Sequence, residues 1–304
     1  MWERIEPHLP TRGRGHGAGR GGLWSDHRLA VEGILWRFRT GSPWRDLPTE
    51  YAAWQTIYWR LNTWAKDGTF NTILAELRAE AHAEGDLGWV VSIDSSNARA
   101  HKHAAGAAKS NPRPPRMTHC SLPRTQGARS NYKDLPVEPA DHGLGRSRGG
   151  WTTKIHLVVD AFGRPLSIRL TPGQAGDNPQ LLPLLDDIAV PVWDGAAPTH
   201  RSRPDAVVAD KAYSHPSTRN ALRQRGITAV IPERSDQIAH RKAKGSKGGR
   251  PPAFDAEAYR GRNVVERCFN KMKEWRGIAT RYDKLAVTYL GGVVLAAIFR
   301  CWLR

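Results

Sequence analysis

Three acids in the 304-residue chain stand in settings where chemistry could gather. Asp94 closes the apolar run "WVVSID" and Asp210 closes "DAVVAD", while Glu266 sits in "YRGRNVVERCFNKMKEW" among Arg260, Arg262, Arg267, Lys271 and Lys273. An acid at the end of a short buried strand leaves a rigid sheet at a defined point, which suits a site. It equally suits ordinary strand-end polarity or the start of a turn. Two acids with the same apolar prefix shift the balance. Brought together they would repel, and one would stay protonated unless a cation lay between them. A hard divalent cation accepts such oxygen ligands and keeps positions for water and phosphate.

Glu266 would complete the set. On a straight helix at about 100° per residue, Tyr259, Arg262 and Lys273 all fall within roughly 40° of Glu266 and make one stripe. A plain Arg262–Glu266 pair at i,i+4 is the simpler account, worth about 0.2–0.5 kcal/mol. It leaves Tyr259, Lys273 and the two strand acids unexplained.

The charge of the chain points the same way. The net charge is +17, which suggests a polyanionic partner without naming an enzyme. Residues 1–90 are neutral, with eleven basic and eleven acidic residues. Residues 101–150 carry nine basic against three acidic, and residues 241–304 fifteen against five. Such local concentration is expected along a nucleic-acid path. Twelve tryptophans and 39% hydrophobic residues exclude a generally disordered chain. The three cysteines, Cys120, Cys268 and Cys301, lack any CxxC spacing, which disfavours a zinc site or disulfide framework and fits a reducing cytoplasm. "MWERIEPHLP" lacks the apolar core of a signal peptide. "YLGGVVLAAIFRCWL" is too short to span a bilayer and reads as a buried C-terminal helix.

The elements that must position the acids follow from periodicity. "SDHRLAVEGILWRFRTG", "AAWQTIYWRLNTWAKDG" and "TFNTILAELRAEAHAEG" predict three helices, an all-helical domain over 1–87. It could read DNA as a helix-turn-helix, or serve as a cap or dimerisation element. After Gly88 the pattern turns mixed. "WTTKIHLVVD" and "RPLSIRLTP" flank "AFG" as an antiparallel hairpin; "HPSTRNALRQRG" reads as a helix and "ITAVIP" as a strand. The expected class is α/β, a mixed sheet with flanking helices over 88–304. Residues 104–150, rich in Pro, Ser, Gly and Arg, read as a basic, exposed or flexible insertion. "RKAKGSKGGRPP" reads as a basic loop without regular structure, followed by a helix from about Asp255.

The set Tyr259, Arg262, Glu266 and Lys273 has the spacing Y-(2)-R-(3)-E-(6)-K. It resembles the signature of DDE transposases of insertion sequences, and most closely the insertion-sequence-five family. "DHRLAVEGILWRFRTGSPWRDLP", "DSSNARAHKHAAGA", "LGRSRGGWTTKIHLVVDAFGRPLSIRLTPGQAGDN" and "VVADKAYSH" resemble the same family, so the likeness runs from about Leu23 to Arg304.

The resemblance implies a ribonuclease-H-like catalytic domain with Asp94, Asp210 and Glu266 as catalytic acids holding two Mg²⁺ or Mn²⁺ ions. It also implies cleavage and strand transfer of double-stranded DNA at the element's ends. Tyr259, Arg262 and Lys273 would then face DNA. Lys211 and the basic run Arg241, Lys242, Lys244, Lys247 and Arg250 are further expected backbone contacts. A homo-oligomer on DNA, a nucleoid-associated cytoplasmic location and no membrane partner go with this reading. A metal-dependent nuclease on the same fold and an inactive DNA-binding remnant are the alternatives. His101 and His103 form an isolated HxH without the further ligands of a metal site. "GRSRGG" lacks the strand–loop–helix setting of a phosphate loop, so no nucleotide cofactor is expected.

Overall fold

A computed structural model describes residues 1–10, 26–107, 138–193 and 198–303. Three helices come first: α1 (His27–Thr40), α2 (Trp54–Lys66) and α3 (Thr69–Ala83). Asp26 caps α1 by accepting from the Arg28 N–H at 2.7 Å, and Gly41 ends it at φ 71°, a left-handed turn that glycine adopts freely. Strand β1 (Val90–Ala100) and the short helix α4 (Lys102–Ala105) follow. Strands β2 (Gly145–Ser147), β3 (Gly150–Val159) and β4 (Pro165–Pro172) then form a meander. Beyond it come α5 (Leu181–Asp186), the hairpin of β5 (Val190–Trp193) and β6 (Pro198–Arg201), then β7 (Ala206–Ala209), α6 (Pro216–Gln224) and β8 (Thr228–Val230). The C-terminal third holds α7 (Ser235–Ala243), α8 (Ala256–Arg260), α9 (Asn263–Lys273), α10 (Arg276–Ala279), β9 (Thr280–Arg281) and α11 (Ala286–Ala297), which runs on as a π-helical turn to Trp302.

The main sheet is mixed. Its order is β2–β3–β1–β7–β8, with β4 also on β3 and β9 also on β1. β1, β3 and β4 are antiparallel neighbours, whereas β7 and β8 run parallel to β1. The expected "AFG" hairpin, the strand "ITAVIP" and the helix closed by Gly226 are present.

One edge of β1 is shared by two partners. β7 pairs with it from Val90 to Ile93, and β9 pairs with it at Arg99 and Ala100. Asp94 to Ala98 therefore face a window in which neither ladder reaches β1. This corrects the expectation that β1 stops at Asp94. β3 stays paired with β1 as far as Arg99↔Thr152, so the strand continues past the acid. What ends at Asp94 is the ladder to β7.

Two further expectations change. Arg241 and Lys242 lie on α7, and residues 245–248 form a 3₁₀ turn, so the basic run is largely helical. Its glycines fall after α7 rather than within it. Residues 108–137 of the expected insertion lie outside the described residues. Its two ends are folded: Ala104 and Leu144 are buried, and β2 joins the sheet. Glu138 accepts from the Ala286 and Val287 N–H groups, satisfying two donors that the start of α11 would otherwise leave open.

The helices of the first third share one apolar core with the C-terminal helix, containing Phe38, Leu61, Trp64, Phe70, Val293 and Ala297. α11 carries Gly291 and Gly292 at this contact. A Cβ on Gly292 would lie 2.1 Å from the Phe38 ring. A buried Arg37–Asp283 pair at 2.8 Å adds a polar tie between α1 and the segment before α11.

Candidate active site

Val90, Val91 and Ile93 on β1, with the Ala-Val-Val-Ala run of β7, make the two strands fit a half-buried pleated surface. Their parallel register pairs Ile93 with Ala209, so Asp94 and Asp210 are the next residues on two adjacent strands. Asp210 leaves β7 into a 3₁₀ turn and accepts from the Ala212 N–H at 2.8 Å. Asp94 accepts from its neighbour's N–H, Ser95, at 2.7 Å. Burial pushes the Asp94 carboxyl above its ordinary value, against the pull of the Ser95 N–H and Arg262, and the Asp210 charge pushes it further up.

Glu266 approaches from α9. Arg262 bridges the two elements: one guanidinium nitrogen lies 2.8 Å from Asp94 Oδ2 and the other 2.5 Å from Glu266 Oε1. Although burial opposes it, the charges of Asp94 and Glu266 hold the Arg262 proton more tightly than usual.

The stripe expected on one straight helix is interrupted. The chain breaks between α8 and α9, where Arg262, Val264 and Val265 donate to the carbonyls of Tyr259, Gly261 and Arg262. These i,i+3 bonds tighten the turn between the two helices. Tyr259 packs against Phe254, ring centres 5.3 Å apart, with the Arg262 guanidinium 5.9 Å from its ring centre.

Lys273 is turned toward the sheet rather than outward. Its ammonium donates to Ser96 Oγ and, at 2.9 Å, to the Asn97 carbonyl, in the window of β1 that neither β7 nor β9 covers. Burial lowers its pKa. Lys211, Lys242, Lys244, Lys247 and Arg250 are exposed, whereas Arg241 is partly buried against Glu233 at 2.9 Å.

The opposite face of β1 carries polar residues that the sequence did not single out. Asp177, in the loop after β4, accepts from Ser95 Oγ at 2.7 Å and from Lys154 Nζ at 2.9 Å. His156 stands opposite Ser95 on β3 and is fully buried. Burial lowers its pKa to about 4, so the ring is neutral near pH 7. Although burial opposes it, the bonds from Ser95 and Lys154 keep the Asp177 carboxyl below its usual range. A signal was present in "WTTKIHLVVD": a lysine and a histidine inside an otherwise apolar strand need partners.

Residues 86–299 match the model of the transposase DDE domain. The chain belongs to the DDE transposases of insertion sequences. Residues 1–74 of this transposase also match the model described as a putative transposase of the IS4/5 family. A Sinorhizobium fredii protein, y4sN, is 38% identical over 107 residues, 35% of this chain and 78% of the relative. A putative transposase for insertion element IS6501 from Brucella ovis is 35% identical over 153 residues, 50% of this chain and 99% of the relative. A putative transposase for IS402 from Burkholderia cepacia is 35% identical over 157 residues, 52% of this chain and 65% of the relative. No solved structure matches the chain. None of the transposase's described helices is long and apolar enough to cross a membrane.

The donor set suits a hard cation, since Asp94, Asp210 and Glu266 offer only carboxylate oxygens. Among the described residues, no three His, Cys, Asp or Glu side chains are gathered closely enough to hold a metal as they stand. The positive charge that joins Asp94 to Glu266 here is the Arg262 guanidinium, a stand-in of the right sign.

Proposed function

We infer that the transposase binds the ends of its insertion sequence in double-stranded DNA and catalyses metal-dependent strand cleavage and strand transfer. The reading places Asp94, Asp210 and Glu266 as the catalytic acids of a ribonuclease-H-like domain, with two Mg²⁺ or Mn²⁺ ions. The observation that carries it is the Arg262 bridge. It brings Glu266 from α9 to Asp94, which the β1–β7 register sets beside Asp210. The mixed sheet, three antiparallel strands followed by two parallel ones, is compatible with that fold.

Divalent cations held by the three carboxylates would supply Lewis-acid polarisation of a phosphodiester and a more acidic bound water or hydroxyl. Asp94 and Asp210 contribute rigidly placed oxygens because each stands where the parallel ladder stops. Glu266 contributes a carboxylate on a helix that can approach from outside the sheet. Arg262 neutralises the acids in the protein alone and is placed to donate to a phosphate oxygen once they are otherwise engaged. Lys211, Lys242, Lys244, Lys247 and Arg250 supply exposed positive charge for the DNA backbone, and their exposure supports this role. Lys273 acts on β1, consistent with its two bonds there. A homo-oligomer assembled on DNA in the nucleoid completes the reading.

The test is joining of a pre-cut 3′ end of the element into target DNA with Mg²⁺. Joined product from the wild-type chain and none from Glu266→Gln is the expected pair of results. Nicked product without joining would make the chain a nuclease on the same fold. Full joining by the Glu266→Gln variant would remove Glu266 from the site.

A further inference from the structure

The opposite face of β1 carries a chain of hydrogen bonds that ends at the first acid. Ser95 is the first residue of β1 beyond both the β7 ladder and Asp94. Its N–H donates to Asp94 Oδ1, so the set of the Ser95 backbone orients the carboxylate. Its side chain points to the other face and donates to Asp177 Oδ1 at 2.7 Å. Lys154 Nζ reaches the same oxygen at 2.9 Å and also donates to the Ala175 carbonyl at 2.7 Å. Because Lys154 lies on β3 opposite Asn97, the carboxylate of Asp177 joins two strands and its own loop at one point.

β3 holds this stretch from its paired edge, and the Tyr213 hydroxyl also approaches the Ser95 side chain. His156, the cross-strand neighbour of Ser95, gives its Nε2 to Thr171 at 2.7 Å, and its Nδ1 has no hydrogen-bond partner. That nitrogen is 3.9 Å from Asp177, beyond a hydrogen bond. Asn178, the residue after Asp177, accepts from Thr218 on α6 at 3.0 Å and ties the loop to the far side of the sheet. The loop is therefore anchored independently of Ser95. Tyr213, in the turn after Asp210, is buried and feels the charges of Asp177, Asp94 and Asp210 together. Asp177 thus lies close to both acid-bearing strands, although its Oδ1 is already taken by a hydroxyl and an ammonium.

We propose that Asp177 is a positioning residue for the acidic site: through Ser95 it helps fix the stretch of β1 that presents Asp94, on the strand whose other edge neither β7 nor β9 covers there. This rests on the assignment of Asp94 to the catalytic set. The juxtaposition Asp177–Ser95–Asp94 couples the loop after β4 to the reacting end of the molecule. Asp177 acts on rate and not on DNA affinity, because it touches neither exposed cation nor substrate.

The experiment uses the full chain, a duplex carrying the element's pre-cut 3′ end, and Mg²⁺. Single-turnover joining and duplex affinity are measured for Asp177→Ala, Asp177→Asn, Ser95→Ala, the Asp177→Ala/Ser95→Ala double variant, and Thr218→Val. Supporting groups of this kind cost about 10- to 100-fold when removed. Asp177→Ala and Ser95→Ala should each lose rate in that range, with affinity within about twofold of wild type. The double variant should be no slower than either single one, since both break one chain of bonds. Asp177→Asn, whose amide oxygen still accepts from Ser95, should recover part of the rate even if Asp177→Ala folds poorly. Thr218→Val, which loosens the same loop elsewhere, should join at the wild-type rate. The proposal falls if Asp177→Ala keeps its rate, if the two single losses multiply, or if Thr218→Val loses as much as Asp177→Ala. Asp94→Asn separates the two levels. If it remains active, the assignment of Asp94 fails; if it is inactive while Asp177→Ala is not, only the positioning role fails.

Discussion

The Arg262 guanidinium lies 2.8 Å from the Asp94 carboxylate, across 168 positions of the chain. The same group meets Glu266 one turn further along α9. A single cation therefore bridges α9 to the sheet edge, and in the protein alone it balances two carboxylates that would otherwise repel.

Replacing Arg262 by Ala should then do opposite things to the free and metal-bound protein. Without divalent ions the variant should lose about 1–2 kcal/mol, as the partly buried Asp94 carboxylate and the exposed Glu266 lose a shared charged donor. Added Mn²⁺ should raise its melting temperature more than that of wild type, because the carboxylates no longer have a competing cation. Thermal unfolding with and without Mn²⁺ measures both. An equal or smaller Mn²⁺ effect in the variant would mean that Arg262 does not stand where a cation goes.

Lys273 gives a second test of how the helix is tied down. Its bonds to Ser96 and the Asn97 carbonyl lie in the part of β1 that neither β7 nor β9 covers. Lys273→Met should leave that carbonyl unsatisfied and cost about 1–3 kcal/mol in urea unfolding. A lysine whose role was phosphate contact would instead leave stability unchanged and weaken DNA binding with a shallower salt dependence.

These relationships show which parts of the site the sequence makes visible. Asp94, Asp210 and Glu266 stand out because an acid after an apolar run, or among basic residues, violates the local pattern. The hairpin around "AFG" and the three first helices are legible because their periods are regular. The continuation of β1 past Asp94 is not: it depends on β3, which lies more than 50 residues away in the chain. The break at Gly261 is hidden because Arg262 keeps helical dihedrals while the hydrogen bonds shorten to i,i+3. Asp177 escapes notice because "GQAGDN" reads as a turn, and only the folded loop brings it to Ser95.

His156 sets a pH dependence whose sign can be worked out. Burial, opposed by Asp177 and reinforced by Lys154 and Arg169, lowers its pKa from 6.5 to about 4. The unfolded chain therefore takes up a proton first as pH falls. Stability should drop between pH 6.5 and about 4, and this contribution should flatten below that, where both states are protonated. The drop is about 3.5 kcal/mol at most, from about 1.4 kcal/mol per pH unit. Urea unfolding of wild type and His156→Asn across this range should show a shallower slope in the variant. Parallel slopes would mean that the ring is protonated in the native state.

The contact between Phe38 and Gly292 tests whether the first helices stand alone. Phe38 lies on α1, within residues 1–74 of the IS4/5-type match, and Gly292 on α11, within the DDE match. Phe38 is fully buried and its ring fills the space that a Cβ at position 292 would need. Gly292→Ala should therefore overpack the contact and cost about 1–3 kcal/mol, more than the gain expected from alanine in a helix. Phe38→Leu in the same chain should recover part of that loss, giving a favourable coupling in a double-mutant cycle. If the helices before β1 were an independent unit, the two substitutions would act additively. Limited proteolysis of Gly292→Ala would then release the C-terminal part while residues 1–87 resisted as a block. Because α1 and α11 fill one core, the expected result is a single cooperative transition that moves as a whole to lower denaturant.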